Sequence, residues 1–271
     1  MKLAGITFII ALFGCISCTL AQEPDPPTTQ PGTNMPAQNN DARRTVLITG
    51  ANRGIGLEFA REYHAAGWNV IATARDPDAA RSLKKMADDV RIVKLDVANA
   101  ASVEAMASAL EGQPIDLLIN NAAIGVSGAS MSSIGTLKVD EFARLLEVNA
   151  LGPVRVTQAL LPNLRAGKGK MIVGLSSGLG SIAGNEGGGY YGYRESKAAI
   201  GMFMRSLAAE LKNDGFTCIA IDPGWVKTDM GGAGAQLTVE QSVGGMRKVL
   251  DSLKPSDTGK FYRYDGSTLP W

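Results

Sequence analysis

"TVLITGANRGIG", residues 45–56, decides how the rest of the chain is read. Val46, Leu47 and Ile48 run straight towards Gly50, Gly54 and Gly56, and "GLEFAREYHAAG" (56–67) then spaces its apolar residues as a helix does. A buried strand, a glycine-rich turn and a helix in this order form the head of a βαβ unit. Glycine lets the backbone turn tightly and approach a pyrophosphate, whose charge then rests at the helix amino terminus. The spacing here is G-x3-G-x-G and differs from the general G-x-G-x-x-G fingerprint, so its place between strand and helix carries more weight than the glycine trio itself.

Outward from this turn the same alternation continues. "WNVIATA" (68–74), "VRIVKLDV" (90–97), "IDLLINNA" (115–122), "GKMIVGLSS" (169–177), "FTCIAIDPG" (216–224) and "KFYRYDG" (260–266) are further strand candidates. Most are near-continuous apolar runs, as parallel strands covered on both faces must be. Helical patterns such as "AASVEAMASALEG" (100–112) lie between them, and no internal repeat is present. The expectation is an α/β fold: one doubly wound, Rossmann-type domain over residues 45–271, with a seven-stranded parallel sheet and helices on both faces. Ligands of such sheets bind at the carboxyl ends of the strands, so the residues ending each strand are the candidates.

The second strand ends Thr73-Ala74-Arg75, with Ala74 where an NAD site would need an acid for the ribose hydroxyl. Arg75 there and Arg53 in the glycine turn place two guanidinium groups at one corner, which suits the phosphate monoester of NADP. Asp96, ending the third strand, can accept a bond from an adenine amino group. The fourth strand ends Asn120-Asn121-Ala122, whose amides either tie neighbouring strand ends together or touch the cofactor.

After the fifth strand comes "SSGLGSIAGNEGGGYYGYRESK" (176–197), with three tyrosines and three serines. Tyr193 and Lys197 are four apart, hence on one helix face with Cβ atoms about 5 to 6 Å apart. Tyr190 is seven residues from Lys197, hence roughly 10 Å away along the axis, and Tyr191 points to another face. An adjacent cation favours phenolate, so Tyr193 is the phenol for proton transfer. If residues 142–161 form one helix, Pro153 has no N–H for the Asn149 carbonyl four residues earlier, which leaves that oxygen open to a water.

These motifs together resemble the single-domain short-chain dehydrogenase/reductase family: T-G-x3-G-x-G at 49–56, N-N-A at 120–122, the Asn of "EVNALG" (147–152), S-S at 176–177, Y-x3-K at 193–197 and P-G-x-V-x-T-D at 223–229. The resemblance covers residues 45–271, and "YYGYRESK" with the closing "YDGSTLPW" is similar to the C-factor and sniffer-like carbonyl reductases within the family. It implies an NADP(H)-dependent oxidoreductase, preferring NADP to NAD, that interconverts a small aldehyde or ketone and its alcohol. By it, Tyr193 is the general acid/base, Lys197 lowers its pKa and holds the nicotinamide ribose, Ser177 positions the carbonyl and Asn149 supports a water relay. It also assigns Gly50, Arg53, Gly54, Ile55, Gly56, Arg75, Asp96, Val97, Asn121, Pro223, Val226 and Thr228 to the cofactor, and implies a homodimer or homotetramer. In many relatives the catalytic serine stands thirteen residues before the tyrosine, where this chain has Gly180. Counting from the strand end selects Ser177, sixteen before Tyr193, with "GNEGGG" as the insertion, Ser181 as the alternative and Ser176 facing the other side. Residues 229–237 are expected to form a mobile lid, and Thr238 to Gln241 a capping box.

Of 271 residues, 45% are hydrophobic and 20% charged, which suits one domain of ordinary core content plus additional chain. Residues 1–21 have the features of a signal peptide, with Lys2 before an apolar run and Thr19-Leu20-Ala21 at its end, so export to the periplasm or exterior is expected. Cys15 or Cys18 would be the acceptor of a lipid anchor, and a misread start would leave the chain cytoplasmic. Residues 22–44, rich in Pro, Thr, Gln and Asn, are expected to be a disordered linker. Without residues 1–21 the chain carries 26 basic and 26 acidic residues, which gives no electrostatic reason to expect nucleic acid. His64 is the one histidine and Cys218 the one cysteine beyond residue 21, so a Ser-His-Asp hydrolase, a disulfide framework and a Cys/His metal site are all disfavoured. The rival expectation is an exported, nucleotide-bound signalling or interaction protein without turnover. An epimerase or dehydratase is disfavoured, because little chain remains after the sixth strand for a substrate domain.

Overall fold

Val46, Leu47 and Ile48 are all fully buried, yet they face opposite sides: Val46 and Ile48 belong to one hydrophobic cluster and Leu47 to the other. Successive strand residues alternate faces, so an apolar run is what a strand covered on both sides requires. The computed structural model describes residues 43–86, 89–125 and 133–271. The signal peptide expected over 1–21, with Cys15 and Cys18, lies outside the described residues, as does the linker up to residue 42.

The described residues belong to one compact unit built on a seven-stranded, all-parallel sheet of order β3-β2-β1-β4-β5-β6-β7. In chain order the elements are β1 (Thr45–Ile48), α1 (Gly54–Ala65), β2 (Asn69–Ala74), α2 (Arg81–Lys84), β3 (Arg91–Lys94), α3 (Ala100–Ala109), β4 (Leu117–Asn120), α4 (Val139–Leu146), α5 (Gly152–Ala159), α6 (Leu161–Ala166), β5 (Met171–Leu175), α7 (Tyr193–Glu210), β6 (Thr217–Asp222), α8 (Val239–Ser252) and β7 (Phe261–Arg263). This is the doubly wound fold expected, and every strand candidate is a strand, somewhat shorter than its apolar run.

One face of the sheet is covered by α1 and α8, the other chiefly by α3, α5 and α7. Phe59 and Tyr63 of α1 are fully buried, and the Arg247 guanidinium of α8 stacks on the Tyr63 ring at 4.0 Å from its centroid. Burying such a ring stabilises by about 1.5–3 kcal/mol, so these two side chains fix α1 on its face.

The helix considered over 142–161 runs unbroken from Val139 to Ala159, widened at its middle. α4 passes into a π turn over Glu147–Leu151, α5 follows, and α6 begins at Leu161. Pro153 is the physical cause: it cannot donate in the α ladder, and the chain widens so that Gly152 N donates to Glu147 O five residues back. Arg155 and Glu147 span the turn with a 2.7 Å ion pair. Gly152 also lets the helix lie against the end of β3, since a Cβ there would stand 2.8 Å from a Val97 methyl.

At the opposite sheet edge one buried carboxylate joins three strands. Asp116 Oδ2 accepts from Thr45 N at 2.7 Å, and Oδ1 accepts from Lys168 N and Gly169 N, both at 2.8 Å. Its loss would leave three backbone donors without their partner where β1, β4 and β5 begin. Asp116→Ala is therefore expected to cost about 2 to 4 kcal/mol in urea unfolding, and a loss well under 1 kcal/mol would show that other acceptors replace it.

Candidate active site

All seven strands point their carboxyl ends to one edge, so the residues singled out from strand ends meet there. At the head of α1, Gly50 and Gly54 have φ of 65° and 52°, a backbone region that favours glycine. Gly56 is constrained differently: a Cβ would lie 2.5 Å from both Gly50 O and Asn121 Nδ2. Asn121 ties strand ends together, donating to Thr49 O at 2.8 Å and Gly50 O at 3.1 Å. Thr49, which sequence reasoning passed over, completes the junction: its Oγ1 accepts from Asn121 N and Ala122 N at 2.9 Å each. Ile55 packs its side chain against the core under α1.

Arg53 and Arg75 lie at the ends of β1's glycine turn and of β2, both exposed. Arg53 Nη1 pairs with Asp229 Oδ2 at 2.7 Å, joining the glycine turn to the segment after β6, while Arg75 is exposed and makes no ion pair among the described residues. Asp96 Oδ1 accepts from Ala98 N at 3.0 Å, and Val97 is buried beside it. The glycine turn, the 12-residue helix it opens and Ala74 in place of an acid at the end of β2 fit a phosphorylated dinucleotide: backbone donors at the helix terminus for the pyrophosphate, arginines for a further phosphate.

Gly192, with φ 77°, stops the chain just before α7, and its N–H donates to Glu195 Oε2 at 2.6 Å. Tyr193 is thus the first residue of the helix. Tyr190 (φ 51°) and Tyr191 precede it in a turn, so neither has the helical relation to Lys197 that the sequence argument allowed for. Lys197 is buried, its Nζ donating to Leu175 O at 2.8 Å and lying 5.6 Å from the Tyr193 ring centroid.

The serines separate by partner. The Ser177 hydroxyl accepts from Leu179 N at 3.2 Å and is within hydrogen-bonding reach of the Tyr193 phenol. Ser176 instead donates to Lys197 O at 2.9 Å, and Ser181 accepts from Gly184 N at 3.0 Å. Asn149 is fully buried, and its side chain is a clasp: Nδ2 donates to Ile124 O and Ser196 Oγ, and Oδ1 accepts from Ile124 N. Ser196 Oγ in turn donates to Tyr193 O at 2.8 Å.

Burial acts against the expected tuning of Tyr193 by Lys197. Desolvation pushes the phenol up to about 12, with Ser177 acting downwards and Asp222 upwards. Lys197 is pushed down to about 8 by burial, against the pull of Asp222. The ammonium is spent on the Leu175 carbonyl and the ring, so taking the phenol out of water is the larger effect. Asp222 escaped notice although the rule of reading strand ends should have found it, as the carboxylate that closes "TCIAID".

Beyond β6, Pro223 O accepts from Ser242 Oγ at 2.6 Å, Val226 is buried in a parallel bridge with Leu237, and Thr228 lies against Gly54. The segment 229–237, expected to be a mobile lid, is stitched down: Trp225 Nε1 donates to Gly231 O, Lys227 N to Leu237 O, and Ala235 is buried. The capping box is present, Gln241 N donating to Thr238 Oγ1 and Thr238 N to Gln241 Oε1. Among the described residues there is no cluster of metal-ligating side chains and no helix long and apolar enough to cross a membrane.

The family model for short chain dehydrogenases matches residues 44–236. C-signal of Myxococcus xanthus is 46% identical over 158 residues, covering 58% of this chain and 93% of its own. Among solved structures, the NADPH-bound carbonyl reductase from chicken fatty liver is 36% identical with a TM-score of 0.78, over 84% of this chain and 99% of that one. The carbonyl reductase Sniffer of D. melanogaster is 32% identical with a TM-score of 0.79, over 84% and 100%.

Gly180, where many relatives place a serine, cannot hold one here. A Cβ would come 2.7 Å from the Lys197 carbonyl carbon and 2.9 Å from its oxygen, both backbone atoms of α7. Gly180→Ser is expected to cost about 1–3 kcal/mol in denaturant unfolding; stability equal to the parent would refute this packing constraint.

Proposed function

The chain belongs to the short-chain dehydrogenase family, and from that premise we propose that it is an NADP(H)-dependent oxidoreductase interconverting a small aldehyde or ketone and its alcohol. The observation that carries the reading is the Ser177 hydroxyl within reach of the Tyr193 phenol, with the Lys197 ammonium over the same ring. The relatives solved with NADPH support the choice of cofactor. Gly50, Gly54, Ile55 and Gly56 would hold its pyrophosphate, Arg53 and Arg75 its additional phosphate, Asp96 and Val97 its adenine end, and Asn121, Pro223, Val226 and Thr228 the remainder.

NADPH, when bound, supplies the hydride that reduces the carbonyl carbon. The protein supplies the proton: Tyr193, held neutral at physiological pH by burial, donates it to the carbonyl oxygen as that oxygen gains charge. Ser177 bonds the same oxygen and fixes it beside the phenol. Lys197 and the Asn149 backbone carbonyl lead the replacement proton inward, while the Asn149 side chain holds α7 and the Ile124 segment in register. In the oxidation direction the same groups work in reverse, and Tyr193 accepts.

Loss of NADPH absorbance against a panel of aldehydes and ketones tests this directly. Wild type is expected to turn over at least one, and Tyr193→Phe to lose about 100-fold or more in kcat; no turnover by wild type, or full turnover by the variant, refutes the reading. In the same assay Arg75→Asp is expected to raise KM for NADPH about tenfold or more and shift preference towards NADH, since a carboxylate repels the additional phosphate. An unchanged NADPH KM removes Arg75 from that role.

The likeness to C-signal favours a second reading, that of an exported signalling protein. With residues 1–21 read as an export signal, fractionation of cells expressing the full chain and a chain without residues 1–21 decides location. Full-length protein is expected outside the cytosol and the shortened chain within it; full-length protein confined to the cytosol refutes export.

A further inference from the structure

The closing "YDGSTLPW" (264–271) supplies none of the site residues above, yet it folds back towards them. Gly266, with φ 89°, reverses the chain after β7, and the tail returns antiparallel to that edge strand: Arg263 N donates to Ser267 O at 2.7 Å and Leu269 N to Phe261 O at 2.8 Å. Trp271 then stacks on the buried Phe261 ring, with centroids 5.2 Å apart. The same indole lies against α7 at Gly201, where a Cβ would stand 2.9 Å from ring atom Cζ3 and 3.2 Å from Cε3. Glycine makes the slot that the ring fills. So seated, Trp271 accepts a hydrogen bond at its backbone oxygen from Ala183 N at 2.9 Å.

Ala183 belongs to the loop that joins Ser177 to Tyr193. Residues 182–188 are all exposed, so burial does not hold them. Their neighbouring bonds are local: Gly184 N to Ser181 Oγ, Asn185 N to Ile182 O and Gly188 N to Asn185 Oδ1. Among the described residues, the bond to Trp271 is the one hydrogen bond from 182–187 to chain beyond the loop. Closer to the chemistry, Gly180 rests on the Lys197 backbone, its N–H donates to Ser177 O at 2.7 Å, and Leu179 N donates to Ser177 Oγ at 3.2 Å. Tyr193, Lys197 and Gly201 follow one another at spacings of four in α7, so the phenol, the seat of Gly180 and the slot for the indole share one helix face.

We propose that Trp271 is a positioning residue for carbonyl binding: its indole, seated on Phe261 and Gly201, holds its backbone oxygen against Ala183 N and so fixes the loop whose first residues set the Ser177 hydroxyl. The inference rests on the oxidoreductase reading above. The loop joins Ser177 to Tyr193, whereas the glycine turn, Arg75 and Asp96 stand at the other half of the strand edge. Loosening the loop therefore weakens the hold on the carbonyl compound and leaves the hold on NADPH. Any side chain at 271 keeps the backbone oxygen, but without the ring nothing seats it on α7.

The test measures steady-state kinetics in the full chain, its Trp271→Ala variant and its Trp271→Phe variant, on a carbonyl compound that wild type reduces. Trp271→Ala is expected to raise KM for the carbonyl about fivefold or more while KM for NADPH stays within about twofold, and Trp271→Phe, which keeps a ring for Phe261, to recover most of the loss. A second readout needs no substrate. Amide hydrogen exchange, followed by mass spectrometry, is expected to quicken about fivefold or more over residues 181–189 in Trp271→Ala, with β5 and α7 unchanged. An unmoved carbonyl KM overturns the proposal, and so does unmoved exchange in the loop. Equal rises in both KM values, or faster exchange throughout the chain, mark a general loss of stability and overturn it as well. Should Trp271→Ala fail to fold, Gly201→Ala, which wedges a methyl under the indole from α7, decides by the same two readouts. Wild type without turnover on any carbonyl refutes the oxidoreductase reading instead, and the exchange measurement then still judges whether Trp271 holds the loop.

Discussion

The junction of Thr49, Gly56 and Asn121 is the constraint on which the site depends. Where β1 and β4 end side by side, the Asn121 amide bonds two backbone carbonyls of the first strand's exit while Thr49 Oγ1 takes two N–H groups of the fourth's. This is where the strand order reverses direction, β2 and β3 running one way from β1 and β4 to β7 the other. Two carbonyls and two N–H groups of these strand ends are thus paired across the gap. The head of α1 closes on the same point so tightly that residue 56 has no room for a side chain. With that corner rigid, the edge divides into two functional halves: Arg75 and Asp96 on the side of β2 and β3, Ser177, Tyr193, Lys197 and Asp222 on the side of β5 and β6.

On the second half, desolvation outweighs charge proximity. A phenol beside an ammonium is commonly expected to ionise more easily, yet Tyr193 is held near 12 and Lys197 near 8. Both displacements favour the uncharged form, as burial demands, and the neighbouring carboxylate opposes burial at the lysine while adding to it at the tyrosine. The outcome is a site whose phenol retains its proton through neutral pH.

Much of this was legible in the chain because buried parallel strands must be continuously apolar, and their ends can therefore be located. Residues chosen from those ends, from Gly50 to Thr228, do gather at one edge. What could not be read depends on groups distant in sequence. The Arg53–Asp229 pair joins residues 176 positions apart, and nothing local in "ANRG" announces it. The π turn was half visible: Pro153 forbids the regular ladder, but whether the chain kinks, breaks or widens is settled by the packing of Gly152 on Val97. The side-chain clasp of Asn149 to Ile124 and Ser196 likewise depends on where the segment after β4 passes.

The glycine-rich stretch between Ser177 and Tyr193 shows how a site keeps its geometry across a long connection. Ser177 is fixed by the end of β5 and Tyr193 by the start of α7, so the residues between them can vary in number provided something anchors them. Gly188, Gly189 and Tyr190 all adopt positive φ, and for Tyr190 that conformation costs of order 1–3 kcal/mol. One guanidinium supplies much of the compensation. Arg194 Nε donates to Gly188 O and Gly189 O at 3.2 and 3.1 Å, Nη1 reaches Leu179 O at 3.4 Å, and the group lies 5.9 Å from the Tyr190 ring centroid. Because Arg194 immediately follows Tyr193 in α7, the anchor of the loop and the phenol share one turn of helix. The loop's carbonyls thereby converge on the residue next to the phenol.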